Sequence, residues 1–411
     1  MSDLDLLLTG GLALDPDTGA RSPVTVGVEG GRIAHLGPDS PGRPAREEIA
    51  LDGALVLPGL VDLHTHVYRA GSRLGITADR VAARSGVTTW VDAGTAGAGT
   101  VEGLVRDVVE RSAVRILAFL NLSYIGLAPA DMPTREIGEL WDPRLADLAA
   151  VLRAGRELPG TIRGIKLRAS ANACGDSAPV VLPLAREAAD GLGVPLMVHV
   201  GLAPPTLTEV LPYLRTGDIL THCFHPHPGG GVLTAAGTLR PQVREAAERG
   251  VRFDVGHGGA SLSYGVARAA LDAGLLPDTI SSDIHAHSIG GPVPDLLRVL
   301  ETFLALGMSL PEVVARATRA PADVLGEPGL GRLAVGGPAD IAVLRPADEP
   351  VALRDMTGAA LTGRTRLRHV LTVAGGRVLR PAAGAPDEGR PSSWLHRFEN
   401  SDERTELETP S

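Results

Sequence analysis

The stretch LPGLVDLHTHVYRAG, residues 57–71, carries the signal that decides how the rest of this chain is interpreted. An apolar run breaks at Pro58 and Gly59, and a second run, 60–63, leads directly to His64 and His66. Residues two apart on a strand share one face, so both imidazoles point at the same object. Neutral imidazole is a common ligand of zinc. The pair alone fits a solvated strand end equally well, so the interpretation depends on residues further along the chain.

The length and composition of the chain limit the class of protein to which it can belong. The chain has 411 residues, 44% of them hydrophobic and 21% charged, which is enough to bury a large core. A net charge of -9 without clustered basic residues argues against a nucleic-acid partner. Two cysteines are too few for a disulfide framework. No signal-peptide layout and no apolar run of ~20 residues is present. We expect a cytoplasmic homo-oligomer that acts on a small molecule, away from membranes.

Strand-like runs near both ends of the chain predict one small β domain. Alternating apolar residues and two-glycine turns mark the runs 4–9, 24–29 and 32–36 and, near the C-terminus, 339–344, 368–373 and 377–379. We expect the two ends to pair, with 1–54 and 331–383 forming a β-sandwich domain. The segment 384–411 is polar and proline-rich, and it cannot bury enough apolar surface to order itself.

Between the ends, from 55 to 330, eight apolar strand-like runs alternate with alanine-rich helical stretches. The runs are 60–63, 88–91, 115–121, 164–167, 195–200, 218–221, 252–255 and 279–282. This alternation predicts an α/β fold in the form of a (β/α)8 TIM-type barrel, in which functional side chains follow the C-terminal ends of the strands.

Rare polar residues fall at the ends of these predicted strands. His199 lies in PLMVHVG, His222 in GDILTHCFH and Asp283 in TISSDIHAH, while Lys166 lies within the apolar strand GIKLRAS. Each of these residues alone is usually a satisfied or solvated polar group. Together, on successive strands of one barrel, they predict a metal site shared with the HxH pair.

Lys166 requires a separate explanation, because a lysine inside a barrel is costly unless its charge is paired or removed. A salt bridge to Asp92 or Asp283 is one solution. Carboxylation of the amine by CO2 is another, since it gives a carbamate anion that can bridge two metal ions. Four histidines and one aspartate are short of anionic donors for two divalent ions, and a carbamate fills that gap.

These residues resemble the amidohydrolase superfamily over nearly the whole chain. The HxH pair, the lysine, the two later histidines and the final aspartate match all six positions of its binuclear metal pattern. Within the superfamily, the similarity is to the amidohydrolase/deacetylase group of dihydroorotase-like metallohydrolases. The segments that carry this similarity are HTHVY (64–68), GVTTWVDAGTAGAGT (86–100), LNLSYIGL (120–127), GDILTHCFH (217–225), FDVGHGGAS (253–261) and SSDIH (281–285).

The resemblance implies two divalent metal ions, with zinc as the expected metal, and Lys166 in its carboxylated form. It assigns His64, His66, the carbamate and Asp283 to the more buried ion, and the carbamate, His199 and His222 to the other. In the mechanism that the resemblance implies, the ions would activate water for attack on an amide or ester carbonyl. Asp283 accepts the proton of that water and passes it to the leaving group, without a covalent enzyme intermediate.

Three residues are predicted to contact the substrate. Arg168 lies two residues after Lys166 on the same face and can hold a carboxylate. Tyr68 can donate a hydrogen bond near the metals, and His257 lies in a glycine-flanked loop. A packing role is equally compatible with each of them. The remaining histidine pairs, 225 with 227 and 285 with 287, are expected at the rim, and Cys174 and Cys223 are expected to be structural.

Three functions stay open. The first is deacetylation of an N-acetyl or O-acetyl small carboxylic acid. The second is cyclic amide hydrolysis of the dihydroorotase or hydantoinase kind. The dihydroorotase pattern has an arginine two residues after the second histidine, whereas this chain has Tyr68 there and Arg69 one step later. The third is an inactive metal-binding scaffold, against which the complete ligand set argues.

Overall fold

The computed structural model describes residues 3–15, 18–130 and 137–381. The predicted polar tail, 384–411, lies outside the described residues. Two sheets organise the described chain, a mixed sheet of eight strands and a parallel sheet of seven strands. No helix in the described part of the chain combines the length and apolar character needed to cross a membrane.

Both ends of the chain contribute to the mixed sheet. Its strands are β1 (Leu4–Leu14), β2 (Arg21–Glu29), β3 (Arg32–Gly37), β4 (Ala45–Ala50), β5 (Leu55–Pro58), and three from the C-terminal part that we number β13 (Ile341–Arg354), β14 (Ala360–Ala374) and β15 (Arg377–Leu379). Strand β5 pairs in parallel with β1 and antiparallel with β13, so it joins the two ends. The predicted pairing of the termini into a small β domain is confirmed.

The parallel sheet forms the barrel. Its strands are β6 (Leu60–Thr65), β7 (Val87–Gly97), β8 (Arg115–Asn121), β9 (Ile162–Ala169), β10 (Leu196–Val200), β11 (Ile219–Thr221) and β12 (Arg252–Asp254). They follow one another in sequence order across the sheet. The chain crosses from the mixed sheet into the barrel at Gly59, so β5 lies in the mixed sheet although it falls within the predicted range 55–330.

The eighth predicted strand, 279–282, closes the barrel without forming a regular strand. Parallel bridges join Thr279 to Asp254 of β12 and Ile284 to Thr65 of β6. The amide of Asp283 also donates to the carbonyl of His64 at 2.7 Å. The segment 279–284 therefore occupies the eighth position, between the last and first strands of the sheet, and the predicted barrel is confirmed.

Helices cover the outside of the barrel. They are α1 (Ala78–Ser85), α2 (Val101–Leu104), α3 (Leu148–Glu157), α4 (Ala171–Cys174), α5 (Ala178–Leu192), α6 (Leu207–Val210), α7 (Pro241–Glu248), α8 (Tyr264–Asp272), α9 (Leu296–Ala305), α10 (Leu310–Ala315) and α11 (Arg319–Val324). A π turn (Val105–Val109) and three 3-10 turns (Pro143–Leu145, Gly175–Ser177, Leu211–Tyr213) lie between them. Several helices begin at side-chain caps, such as the reciprocal pair formed by Ser309 and Glu312 before α10.

Alternation along the strands separates two layers of core. Val61, Val91, Phe119 and Met197 belong to a small cluster that contains side chains from β6, β7, β8, β10 and β11. Their sequence neighbours, such as Trp90, belong to the large cluster that also contains the helix side chains. Since successive residues of a strand point to opposite faces, the small cluster fills the barrel interior.

Truncation of Phe119 tests this assignment of the barrel interior. The side chain is 0% exposed, and its ring lies against Gly164 of β9. We expect Phe119→Ala to lower the free energy of unfolding by about 3–5 kcal/mol, because it leaves a cavity among rigid strands. Val335→Ala, at a side chain that is 64% exposed, is the control and should change it by less than about 0.5 kcal/mol. Similar values for both variants in urea denaturation would contradict the assignment.

Candidate metal centre

The side chain of Lys166 points into the barrel. Its neighbours on β9, Ile165 and Leu167, belong to the outer layer that packs against the helices. Alternation therefore places Lys166 inside, and Arg168 on the same face one step nearer the C-terminal end. On the adjacent strand, Met197 is inside and His199 follows it by two residues. Lys166 and His199 thus lie toward the same end of the barrel.

Contacts join all six predicted metal ligands into one cluster. Nε2 of His66 lies 3.1 Å and Nε2 of His64 lies 3.4 Å from Oδ1 of Asp283. Nζ of Lys166 lies 3.1 Å from Nε2 of His64. The ring of His222 is centred 5.0 Å from that of His64 and 4.3 Å from that of His199. Donor atoms of His64, His222 and Asp283 all lie within 4.8 Å of one another.

The outward nitrogens of three imidazoles are held by hydrogen bonds. Nδ1 of His64 lies 2.9 Å from the hydroxyl of Thr221, and Nδ1 of His66 lies 2.9 Å from that of Thr95. Nδ1 of His222 donates to the carbonyl of Gly256 at 2.7 Å. An Nδ1 that donates leaves the lone pair of the ring on Nε2, which is the form that binds a metal.

Two of the predicted ligands lie at strained backbone positions. His222 has φ 66° and Asp283 has φ 48°, and only Asp52 shares a positive φ among the other described residues that are not glycine. Such conformations cost about 1–3 kcal/mol and concentrate at functional sites. His222 directly follows β11, and Asp283 directly follows residues 279–282 of the segment that closes the barrel. The turn at each position therefore directs the side chain across the barrel mouth.

The surroundings of Lys166 favour a neutral amine. The side chain is 1% exposed, and its Nζ contacts His64 and the sulfur of Met197. No carboxylate lies within 4.0 Å of Nζ among the residues that the structure describes, so the salt bridge considered above is not formed. Burial lowers the pKa of the Lys166 amine to about 7. A neutral amine is the form that reacts with CO2.

Gly94 of β7 provides the space for this lysine. A Cβ on Gly94 would lie 2.7 Å from Cγ and 2.8 Å from Cβ of Lys166, and its φ of +86° also disfavours a side chain. The sequence GVTTWVDAGTAG therefore contains a glycine that the position of Lys166 requires.

The donor set fits divalent metal ions. Oδ1 of Asp283 is buried and accepts no hydrogen bond from the described residues, although two imidazole nitrogens lie close to it. Burial lowers the pKa of His222 to about 4 and holds the pKa of His64 and His199 well below its usual value, so these rings are neutral. Neutral imidazoles together with a buried carboxylate oxygen are ligands typical of zinc and related ions.

The predicted substrate contacts differ in their surroundings. The ring of Tyr68 packs against Gly71, and its hydroxyl lies over Gly103 of α2, in the hydrophobic core rather than against the clustered histidines. Arg168 is at the barrel mouth, where its Nη1 donates to both carboxylate oxygens of Glu139 at 3.2 Å. Its guanidinium therefore already holds one carboxylate of the protein.

His257 lies beside the metal centre. Its amide donates to the carbonyl of Ser281, and its Nδ1 accepts from the amide of Gly259 at 3.2 Å, which leaves the ring proton on Nε2. His285 also has both nitrogens engaged, because Nδ1 accepts from the amide of His287 and Nε2 donates to the carbonyl of Gly258. His285 therefore holds the loop that passes against Asp283 through Gly258.

Neither cysteine is prepared for nucleophilic chemistry. Both thiols are buried. Burial raises the pKa of Cys174 to about 11 and that of Cys223 well above its usual value, so the reactive thiolate is disfavoured. The prediction that they are structural is compatible with these surroundings.

The sequence contained two signals that the pattern of strand ends did not use. Lys166 is the only lysine in the chain, whose other basic side chains are all arginines. Arginine cannot replace an amine that must lose its proton, so a single lysine among arginines points to a use for its amine. The hydroxyls that orient two of the imidazoles, from Thr95 and Thr221, lie 29 and 157 residues along the chain from the rings they contact, and threonine is too common at strand ends to be noticed.

Comparisons with known proteins agree with this geometry. No protein-family model matches the chain. The chain is similar to a deacetylase of Agrobacterium fabrum, 38% identical over 80% of this chain and 79% of the relative, and to a deacetylase of Enterococcus faecalis, 31% identical over 92% and 99%. It is also similar to crystal structures of an adenine deaminase (TM-score 0.84, 31% identity, 92% of this chain, 99% of that one) and a dihydroorotase (TM-score 0.82, 35% identity, 92% and 98%). These similarities confirm the expected family: the chain belongs to the amidohydrolase superfamily.

Proposed function

We propose that this protein is a metal-dependent deacetylase that hydrolyses an N-acetyl amide or O-acetyl ester of a small carboxylic acid. The observation that carries the proposal is the convergence of six donor residues at the C-terminal end of one barrel, with a buried Asp283 oxygen within 3.4 Å of two imidazole nitrogens. Relatives that are 31–38% identical and span most of the chain are named deacetylases.

The six residues divide between two metal ions, which we expect to be zinc. His64, His66 and Asp283 would hold one ion, His199 and His222 the other, and a carboxylated Lys166 would bridge them. When bound, such ions polarise the scissile carbonyl and make water nucleophilic at neutral pH. The interior position of Lys166, the space left by Gly94 and the single lysine in the sequence support the carbamate.

Asp283 is the proton carrier in this proposal. Its side chain is buried, yet 11% exposed toward the barrel mouth, so one carboxylate both faces the imidazoles and reaches the substrate space. It would accept the proton of the attacking water and deliver it to the leaving amine or alcohol. Because water is the nucleophile, the buried thiols take no part.

Arg168 is the proposed anchor for the substrate carboxylate. Both of its described hydrogen bonds to Glu139 run from Nη1, and a guanidinium presents donors on more than one edge. Glu139 is 4% exposed and fixes the orientation of the arginine. A carboxylate on the opposite edge would then meet a preoriented cation. His257 remains a proposed substrate contact because its Nε2 carries the ring proton.

Cyclic amide hydrolysis is the second candidate, because one similar structure is a dihydroorotase. The residues after the HxH pair disfavour it. Arg69 is exposed, and Tyr68 is packed over Gly103, so neither side chain provides the carboxylate contact that a dihydroorotase pattern requires. A cytoplasmic location and a homo-oligomeric state also remain proposals that rest on sequence composition and resemblance.

Replacement of Asp283 by Asn tests the proton transfer. The amide keeps one oxygen for the metal site but cannot accept a proton, so we expect kcat to fall by about 10²–10⁴-fold while most bound metal is retained. Asp272→Asn, at an exposed position on α8, is the matched control and should retain full activity. Full turnover in Asp283→Asn, measured alongside metal content, would show that another group carries the proton.

Lys166→Ala tests the bridging role. We expect this variant to lose bound metal and activity, with partial recovery when short carboxylic acids fill the space of the missing carbamate. Retention of two tightly bound ions would contradict the assignment.

Carboxylation itself can be observed directly because the chain has one lysine. Protein grown with ¹³C-labelled lysine should give a single Cε signal, which we expect to shift when bicarbonate and metal are added. An unchanged signal in metal-loaded protein would contradict the carbamate.

Metal analysis with a substrate panel tests the proposed reaction. The panel contains N-acetyl amino acids, O-acetyl hydroxy acids and dihydroorotate. We expect about two metal ions per chain and hydrolysis of an acetylated compound. Turnover of dihydroorotate alone would support the cyclic reaction instead. Neither metal nor activity, after zinc or manganese is added with bicarbonate, would indicate an inactive scaffold.

A further inference from the structure

Asp254, the last residue of β12, lies beneath the metal centre and is fully buried. Three hydroxyls donate to its carboxylate: Thr221 at 2.7 Å, Thr279 at 2.6 Å and Ser281 at 2.8 Å. They come from the neighbouring strand β11 and from the segment that closes the barrel. In each of these three bonds the hydroxyl is the donor and a carboxylate oxygen of Asp254 is the acceptor.

The first branch leads to His64. Because Thr221 gives its only hydroxyl proton to Asp254, its oxygen must accept the proton of any further hydrogen bond. Nδ1 of His64 lies 2.9 Å from that oxygen, so Nδ1 carries the ring proton. The lone pair of the imidazole is then on Nε2, which faces Lys166 and Asp283.

The second branch leads to His222. Ser281 gives its hydroxyl proton to Asp254 and accepts from the amide of Gly256 at 3.1 Å. The carbonyl of Gly256 accepts from Nδ1 of His222 at 2.7 Å. The hydrogen bond of Ser281 therefore holds the residue whose carbonyl sets the protonated nitrogen of His222. His66 uses a separate support, since Thr95 contacts its ring.

We propose that Asp254 is a positioning residue for both metal ions, through Thr221 to His64 and through Ser281 and Gly256 to His222. The inference rests on the proposed function, which assigns these two histidines to different ions. Asp254 contacts neither ion in this arrangement. Through Thr221 it selects the tautomer of His64, and through Ser281 it holds Gly256, whose carbonyl orients His222, so that both halves are preformed before metal binds.

Separate removal of the hydroxyls of Thr221, Ser281 and Thr279 distinguishes a role of Asp254 in positioning the histidines from a role in packing alone. Thr221→Val and Ser281→Ala each cut one branch to a histidine. Thr279→Val is the control, since it removes an equally short bond to the same carboxylate from a residue that this network does not connect to a histidine. Thr221→Ser restores the hydroxyl of the first branch. Metal affinity is measured on the full chain by chelator competition with zinc, and the absorption spectrum of the cobalt-substituted protein is recorded.

We expect Thr221→Val to weaken the binding of one metal ion by about 10- to 100-fold, and Ser281→Ala to weaken the other by about tenfold. Thr279→Val should stay within about threefold of the wild type, and Thr221→Ser should recover most of the lost affinity. The cobalt spectrum should change in Thr221→Val and not in Thr279→Val.

Equal loss of metal in Thr221→Val and Thr279→Val, or no recovery in Thr221→Ser, would overturn the positioning role and leave the proposed function intact. A wild-type protein that binds no divalent metal would overturn the proposed function together with this inference. The two failures are therefore distinguishable within one set of measurements.

Discussion

The two ring nitrogens of His64, His66 and His222 serve opposite purposes, and the rest of the site depends on this division. Nδ1 of His64 and of His222 is committed to a hydrogen bond at the barrel wall. Nε2 of His64 consequently presents its lone pair to the centre, where a buried carboxylate oxygen of Asp283 also lies. Lone pairs that converge in a dry site are stable when a cation shares them. The hydrogen bonds at the barrel wall thus give the centre donor atoms that suit a cation.

The barrel interior adds a second constraint, which falls on Lys166. Below the metal centre the interior is apolar, and an ammonium group there would lose its hydration without gaining a carboxylate partner. Carboxylation of Lys166 would turn its side chain into an anion between two metal cations, which would need no carboxylate partner. An arginine at this position would keep its positive charge. A chain that uses arginine at every other basic position and lysine at this one is consistent with selection for amine chemistry.

The sequence was informative where an unusual residue interrupts an apolar run. Lys166, His199 and His222 stand out in this way, and parallel strands bring their ends to one rim, so the convergence of these residues was predictable without coordinates. The end of β6 shows the limit of simple alternation. Its pairing with β7 is irregular between Asp62 and Thr65, and yet both His64 and His66 reach Asp283.

Side-chain direction outside the strands was less predictable, because it depends on partners that are distant in sequence. Tyr68 follows the HxH pair but turns into the core, where Gly71 and Gly103 leave room for its ring. Arg168 was correctly placed on the face of Lys166, but its partner Glu139 comes from a loop 29 residues away. Periodicity gives the face of a strand. It does not give the neighbour that a long side chain meets beyond it.

The segment that closes the barrel, 279–284, also carries Asp283 of the candidate site. The closing segment departs from regular strand geometry because Asp283 adopts a left-handed backbone, at a cost of about 1–3 kcal/mol. Buried carboxylates on the flanking strands compensate: Ser282 donates twice to Asp62 of β6, and Thr279 and Ser281 donate to Asp254 of β12. These hydrogen bonds hold the closing segment in place against the strain at Asp283. The hydrogen bonds of Thr279, Ser281 and Ser282 that close the barrel therefore also orient Asp283. The closing segment lacks regular strand pairing, and its conformation places the Asp283 carboxylate among the imidazoles.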